Sequence, residues 1–128
     1  MEWDKSTLVG PGGEDWRVPV SELEGRQGRL SIALAEEGIE SAYIEDPVEL
    51  YWLTGGRQNS AILMGAEGTG IQTRHLVRRS VARASFEGGA DDCPHLIEEH
   101  PRMGELSDML AKFGCVQRPA MTRAKVPQ

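Results

Sequence analysis

The chain has 128 residues, 39% hydrophobic and 27% charged, with twenty acidic against fourteen basic side chains and a formal charge of −6. Those proportions fit one soluble domain that buries roughly two-thirds of the surface its unfolded chain exposes. The acidic balance and the lack of any Lys/Arg run argue against a nucleic-acid partner. No apolar run reaches the length of a membrane span, and no basic start leads into an apolar segment, so neither membrane insertion nor secretion is expected. Cys93 and Cys115 match no CxxC spacing and read as reduced, buried thiols of a cytoplasmic protein.

Residues 1–18 are punctuated by Gly10, Pro11, Gly12 and Gly13 and read as an irregular arm, with Trp3 or Trp16 as its docking point. Order begins at Val18-Pro19. Ser21 followed by Glu24 has the spacing of a capping box. Leu23, Leu30, Ile32, Ala33, Leu34 and Ala35 form an apolar stripe that Gly38 stops, with Gly25 and Gly28 weakening the first half. "IESAYI" then reads as a strand ended by Pro47, and "VELYWLTG" as a short helix or turn folded back on the sheet.

"SAILMGAEGTGIQTRHL" reads as strand, turn and strand, with the turn at Glu67–Gly70. Val77, Val81, Ala82 and Ala84 resume a helical period. A brief strand is expected around Leu96 and Ile97. Leu106, Met109, Leu110 and Phe113 give an amphipathic helix stopped by Gly114, and "CVQRPAM" a last short strand. This order predicts an α/β three-layer sandwich, with a mixed sheet of about five strands and helices on both faces.

Residues suited to chemistry are sparse. His95 and His100 are separated by an odd step across a strand, which puts them on opposite faces and spoils a shared metal site. Asp91-Asp92 and Glu98-Glu99 read as solvated pairs of acids. Ser60 and Ser80 lie in no GxSxG elbow, and Gly68 and Gly70 suit a hairpin turn better than a phosphate cradle. A magnesium-dependent hydrolase or nuclease built on Asp46, Glu49 and Asp92 is the alternative enzymatic reading, and the negative charge works against it.

One segment carries a more specific signal. Arg26, Leu30 and Leu34 lead into Gly38, Ile39, Glu40 and Ala42, followed by Asp46, Pro47, Leu53, Thr54 and Gly55. This pattern resembles the amino-terminal domain of the creatinase/prolidase/aminopeptidase P family. The likeness runs over residues 19–118 and leaves 119–128 as a tail or linker. Glu49 stands where the family usually has Asn, Trp52 where it has Tyr, and Gly56 where it has Phe.

The resemblance implies a domain with a ribonuclease-H-like motif and no catalytic residue or cofactor of its own. Full-length relatives carry a carboxy-terminal pita-bread domain in which two Asp, one His and two Glu hold two divalent metals (manganese, cobalt or zinc) that activate water against Xaa-Pro peptides. No position here maps onto those ligands, so the expectation is a domain whose catalytic partner is missing from this sequence. Its expected partners are that pita-bread domain and a second copy in a homodimer. Glu49, Tyr51, Trp52 and Arg57 are the interface or access candidates, with Leu50, Trp52 and Leu53 read chiefly as packing. A stand-alone binding domain, or a relative without peptidase chemistry, is the remaining expectation.

Overall fold

A computed structural model describes residues 11–112. Helix α1 (Val20–Glu36) turns Leu23, Gln27, Leu30 and Leu34 inward at three- and four-residue steps. Gly25 and Gly28 do not shorten it, because the buried stripe runs past both and packing outweighs propensity. The capping box expected at Ser21 does not form. The chain enters the helix two residues earlier, with Pro19 at the N-cap, and the Pro19 carbonyl takes the amides of Glu22 and Leu23 at 3.0 and 3.1 Å. The exit follows expectation: Gly38, at φ 72°, closes a Schellman turn with Ile39 N–H on Leu34 O (2.9 Å) and Gly38 N–H on Ala35 O (3.1 Å).

Strand β1 (Ser41–Ile44) leads to α2 (Pro47–Thr54), then β2 (Ser60–Gly65) and β3 (Arg74–Val77). Helix α3 (Val81–Glu87), a 3₁₀ turn (Ala90–Asp92), β4 (Leu96–Glu99) and α4 (Met103–Lys112) complete the described chain. Val77, expected to join the helical period, ends β3 instead, and Ser80 caps α3 by accepting from Arg83 N–H at 3.0 Å. The sheet order is β1-β2-β3-β4, antiparallel across the first two pairs and parallel between β3 and β4. The sheet is mixed, as expected, but has four strands among the described residues rather than about five. The expected fifth strand, with Phe113, Gly114 and the tail, lies outside the described residues, as does Trp3.

Alternation along the strands sorts the core into two layers. Ala42, Ile44, Ile62 and Met64 face Leu30 and Leu34 of α1 and Leu50 and Leu53 of α2. Tyr43, Ala61, Leu63 and Leu76 face Leu106 and Leu110 of α4. Helices on both faces of the sheet make the expected three-layer sandwich. Among the arm's described residues, Arg17 rather than Trp16 makes the docking contact, and Trp16 is 53% exposed. Arg17 donates to Phe86 O at 3.2 Å and lies 4.3 Å from the Phe86 ring centroid. Asp15 pairs with Arg17 at 2.6 Å, and that guanidinium holds the Asp15 carboxyl down at about 2.

Candidate functional site

Helix α2 is set by local chemistry at both ends. Asp46 accepts from Glu49 N–H at 3.1 Å, Pro47 occupies the first turn, and Gly55 at φ 73° ends the helix with its N–H on Tyr51 O at 2.9 Å. Gly55 also admits a neighbour: a Cβ there would stand 2.8 Å from the Glu87 carbonyl oxygen of α3. A Cβ on Gly56 would stand 3.0 Å from the His75 ring. The two glycines bring the α2 end down onto α3 and β3, and the chain then turns back toward the start of β2.

That return brings two of the four sequence candidates together. Tyr51 carries the Arg57 guanidinium over its ring, 5.5 Å from the centroid. Both line a groove of about 690 Å³, with Pro47, Val48 and Leu50 on the α2 side and Arg57, Gln58 and Asn59 on the other. Val48 is 76% exposed and Tyr51 37% exposed. The other two candidates point elsewhere. Glu49 is buried, and Trp52 packs on the α1–sheet core with Arg26 and Arg29 5.4 and 5.7 Å from its ring. Arg26 also donates to Trp52 O at 3.0 Å. Leu50 and Leu53 are fully inside the core, so the packing expectation for this helix holds.

The groove lies beside the carboxyl ends of β1 and β3, where a second polar cluster is built. His100 Nδ1 lies 2.9 Å from Pro101 O, which makes Nδ1 the protonated nitrogen. Its Nε2 then accepts from Tyr43 O–H at 2.7 Å and from Arg78 at 3.1 Å, while Arg78 also reaches Glu45 at 2.9 Å. Burial pushes the Tyr43 hydroxyl up to about 12, with the Glu45 charge adding to it. The sequence separation of Tyr43 and His100 hid this pair, because neither lies in a motif.

A third polar group is fully interior. Ser60 Oγ donates to Gln58 O at 3.2 Å, so it accepts from His75 Nε2–H at 2.8 Å and leaves His75 Nδ1 as a bare acceptor. Gln27 Nε2 donates to both Leu53 O and His95 Nδ1, each at 2.9 Å, so His95 carries its proton on an unpartnered Nε2. The two rings meet edge to face with centroids 5.7 Å apart. Burial drives His75 down to about 3, with the charge of His95 adding to the effect, and burial drives His95 down to about 4. Both are neutral at any ordinary pH. Beside them the buried Glu87 is held by Arg83 (3.3 Å) and by Arg57 N–H (3.3 Å).

His95 and His100 do lie on opposite sides of the sheet, as their spacing implied, one against Gln27 and the other against Tyr43. Among the described residues no three His, Cys, Asp or Glu side chains are grouped to hold a metal. The trio Asp46, Glu49 and Asp92 does not assemble: Asp46 caps α2, Glu49 is buried in its first turn, and Asp92 ends the 3₁₀ turn beyond α3. No helix among the described residues is long and apolar enough to cross a membrane.

The elements define a three-layer α/β domain with a mixed sheet and a groove at one sheet end. Several solved structures share that architecture. The amino-terminal domain of the cytoplasmic peptidase PepQ from Mycobacterium tuberculosis superposes over 78% of this chain and 97% of its own (TM-score 0.54, 16% identity). The creatinase/prolidase amino-terminal domain of an X-Pro dipeptidase from Streptococcus pyogenes covers 78% and 96% (TM-score 0.53, 13% identity). The Xaa-Pro dipeptidase from Bacillus anthracis matches 72% of this chain, which spans only 25% of that enzyme (TM-score 0.57, 16% identity). No protein-family profile matches the sequence, and no curated protein matches it. The chain has the creatinase/prolidase amino-terminal-domain fold, which is what the Gly38–Gly55 pattern implied.

Proposed function

We propose that this chain is the non-catalytic amino-terminal domain of a metal-dependent Xaa-Pro dipeptidase or aminopeptidase P-like enzyme, shaping substrate access and subunit assembly. The observation that carries the reading is the agreement between fold and local sequence. The domain superposes on nearly the whole of two isolated peptidase amino-terminal domains, and α2 has the Asp-Pro start and Thr-Gly end that carry the family resemblance in the sequence. In this reading the catalytic metals (manganese, cobalt or zinc) and their five ligands belong to a pita-bread domain that packs on this one. The whole protein is a cytoplasmic homodimer that binds neither nucleic acid nor membrane. Tyr51 and Arg57 face the neighbouring domain or subunit, whereas Glu49 and Trp52 support α2 from behind.

The test is turnover by the purified chain of Xaa-Pro dipeptides and of Xaa-Pro-containing tripeptides, with manganese, cobalt and zinc supplied in turn. The proposal expects no hydrolysis under any of the three. Metal-dependent cleavage by this chain alone would overturn it.

A further inference from the structure

The groove beside α2 differs from a plain apolar patch in how its charges are settled. Of the charged groups lining it, Glu45 is committed to Arg78 at 2.9 Å. Gln58 is locked at both ends, donating to Ser80 O at 2.8 Å and accepting from Ser80 N–H at 3.0 Å. Asn59 gives its carbonyl oxygen to Arg78 at 3.4 Å, which turns its amide N–H₂ the other way. Arg57 is different. Its guanidinium rests on the Tyr51 ring and has no hydrogen-bond or ion-pair partner among the described residues. Stacking fixes the plane of the fork and leaves its N–H edges open. The groove therefore offers two unused sets of donors, on Arg57 and Asn59, and no uncompensated acceptor charge. Opposite them stands an aliphatic and aromatic wall of Pro47, Val48, Leu50 and Tyr51.

We infer that this groove binds the carboxyl end of a short peptide. Arg57 holds the α-carboxylate as a fork, Asn59 N–H₂ takes one of its oxygens, and the last apolar side chain lies on Val48 and Tyr51. The volume, about 690 Å³, falls within the range of small-ligand sites. A planar bidentate carboxylate matches a guanidinium better than any neutral group, so the free acid is discriminated from its amide. The inference concerns binding by this chain alone and holds whether or not the parent is a peptidase.

The experiment is an amide-resolved NMR titration of the full chain with N-acetyl-Leu-Leu as the free acid and, separately, as its carboxyl-terminal amide. Saturable shifts are expected at Val48, Tyr51, Arg57 and Asn59 with the acid, and binding of the amide about tenfold or more weaker. Arg57→Gln should reduce acid binding to the level of the amide, and Arg57→Lys should restore only part of it. Equal binding of acid and amide, or shifts confined to another face, would overturn the inference. So would the absence of saturable shifts, or equally tight binding of a blocked peptide with an internal Asp, which would assign the groove to an acidic protein loop. None of these outcomes bears on the peptidase reading, which rests on the fold together with the Asp-Pro and Thr-Gly ends of α2.

Discussion

Under α4 the sheet offers Tyr43, Ala61, Leu63 and Leu76 to Leu106 and Leu110, a contact that is apolar throughout except for the Tyr43 hydroxyl at its rim. Under α1, α2 and α3 the aliphatic row of Ile44, Ile62 and Met64 gives way at β3 to His75, the cross-strand neighbour of Ile62. From there inward the contacts are polar: Ser60, His75, His95, Gln27 and Glu87. The first face depends on volume and should answer to cavities alone. The second depends on hydrogen bonds made by neutral rings, so it should answer to protons and to backbone shape as well.

Substitutions and pH separate the two faces. Leu63→Ala empties a fully buried site on the apolar face and should destabilise the domain by about 2–5 kcal/mol, with no change in the pH dependence of unfolding. Acid should act through the polar face. Because the folded-state pKa values of His75 and His95 are lowered, the unfolded chain binds protons that the folded one refuses. Stability is therefore full above the ordinary histidine pKa of about 6.5 and is lost as pH falls toward about 4, with each pH unit in that window costing at most about 1.4 kcal/mol per histidine. Urea midpoints measured across that window should fall, and His75→Asn should flatten the slope; an unchanged slope would rule the histidines out as its source.

Three further substitutions have smaller expected effects. Gly55→Ala forces a side chain into a left-handed position and against the Glu87 carbonyl, and should cost about 1–3 kcal/mol in thermal or chemical unfolding. Asp46→Ala removes the α2 cap and should cost about 1 kcal/mol. Arg57→Gln touches neither core layer and should leave stability within about 0.5 kcal/mol, so any binding it loses belongs to the groove.

How much of this was legible in the sequence depended on distance along the chain. Asp46, Pro47 and Gly55 announce both ends of α2 with residues that act within a turn of themselves, and the Gly38 exit from α1 is similarly local. The capping box at Ser21 failed because Pro19 starts the helix first. The His75–His95 contact was not legible. It depends on β3 and β4 pairing in parallel, Arg74 beside Leu96 and His75 beside Ile97, across a helix that no local rule aligns. A partial signal existed, since His75 stands at an inward position of the hairpin where an aliphatic residue would be expected. Within the candidate site, the spacing of Tyr51 and Arg57 gave no hint of contact, because the left-handed turn at Gly55 is what carries Arg57 back over the ring. Glu49 and Trp52 lay in the right helix but on its inner side, a distinction set by how α2 meets α1 and the sheet.

The central claim is that this domain works beside a catalytic one. It is tested by the sequence and intact mass of the natural gene product, read through and beyond the codon for Gln128. The expected finding is a following segment with two Asp, one His and two Glu in pita-bread order, attached to this domain or carried by a companion chain that co-purifies with it. A natural protein consisting of this domain alone, purified without such a companion, would contradict the claim.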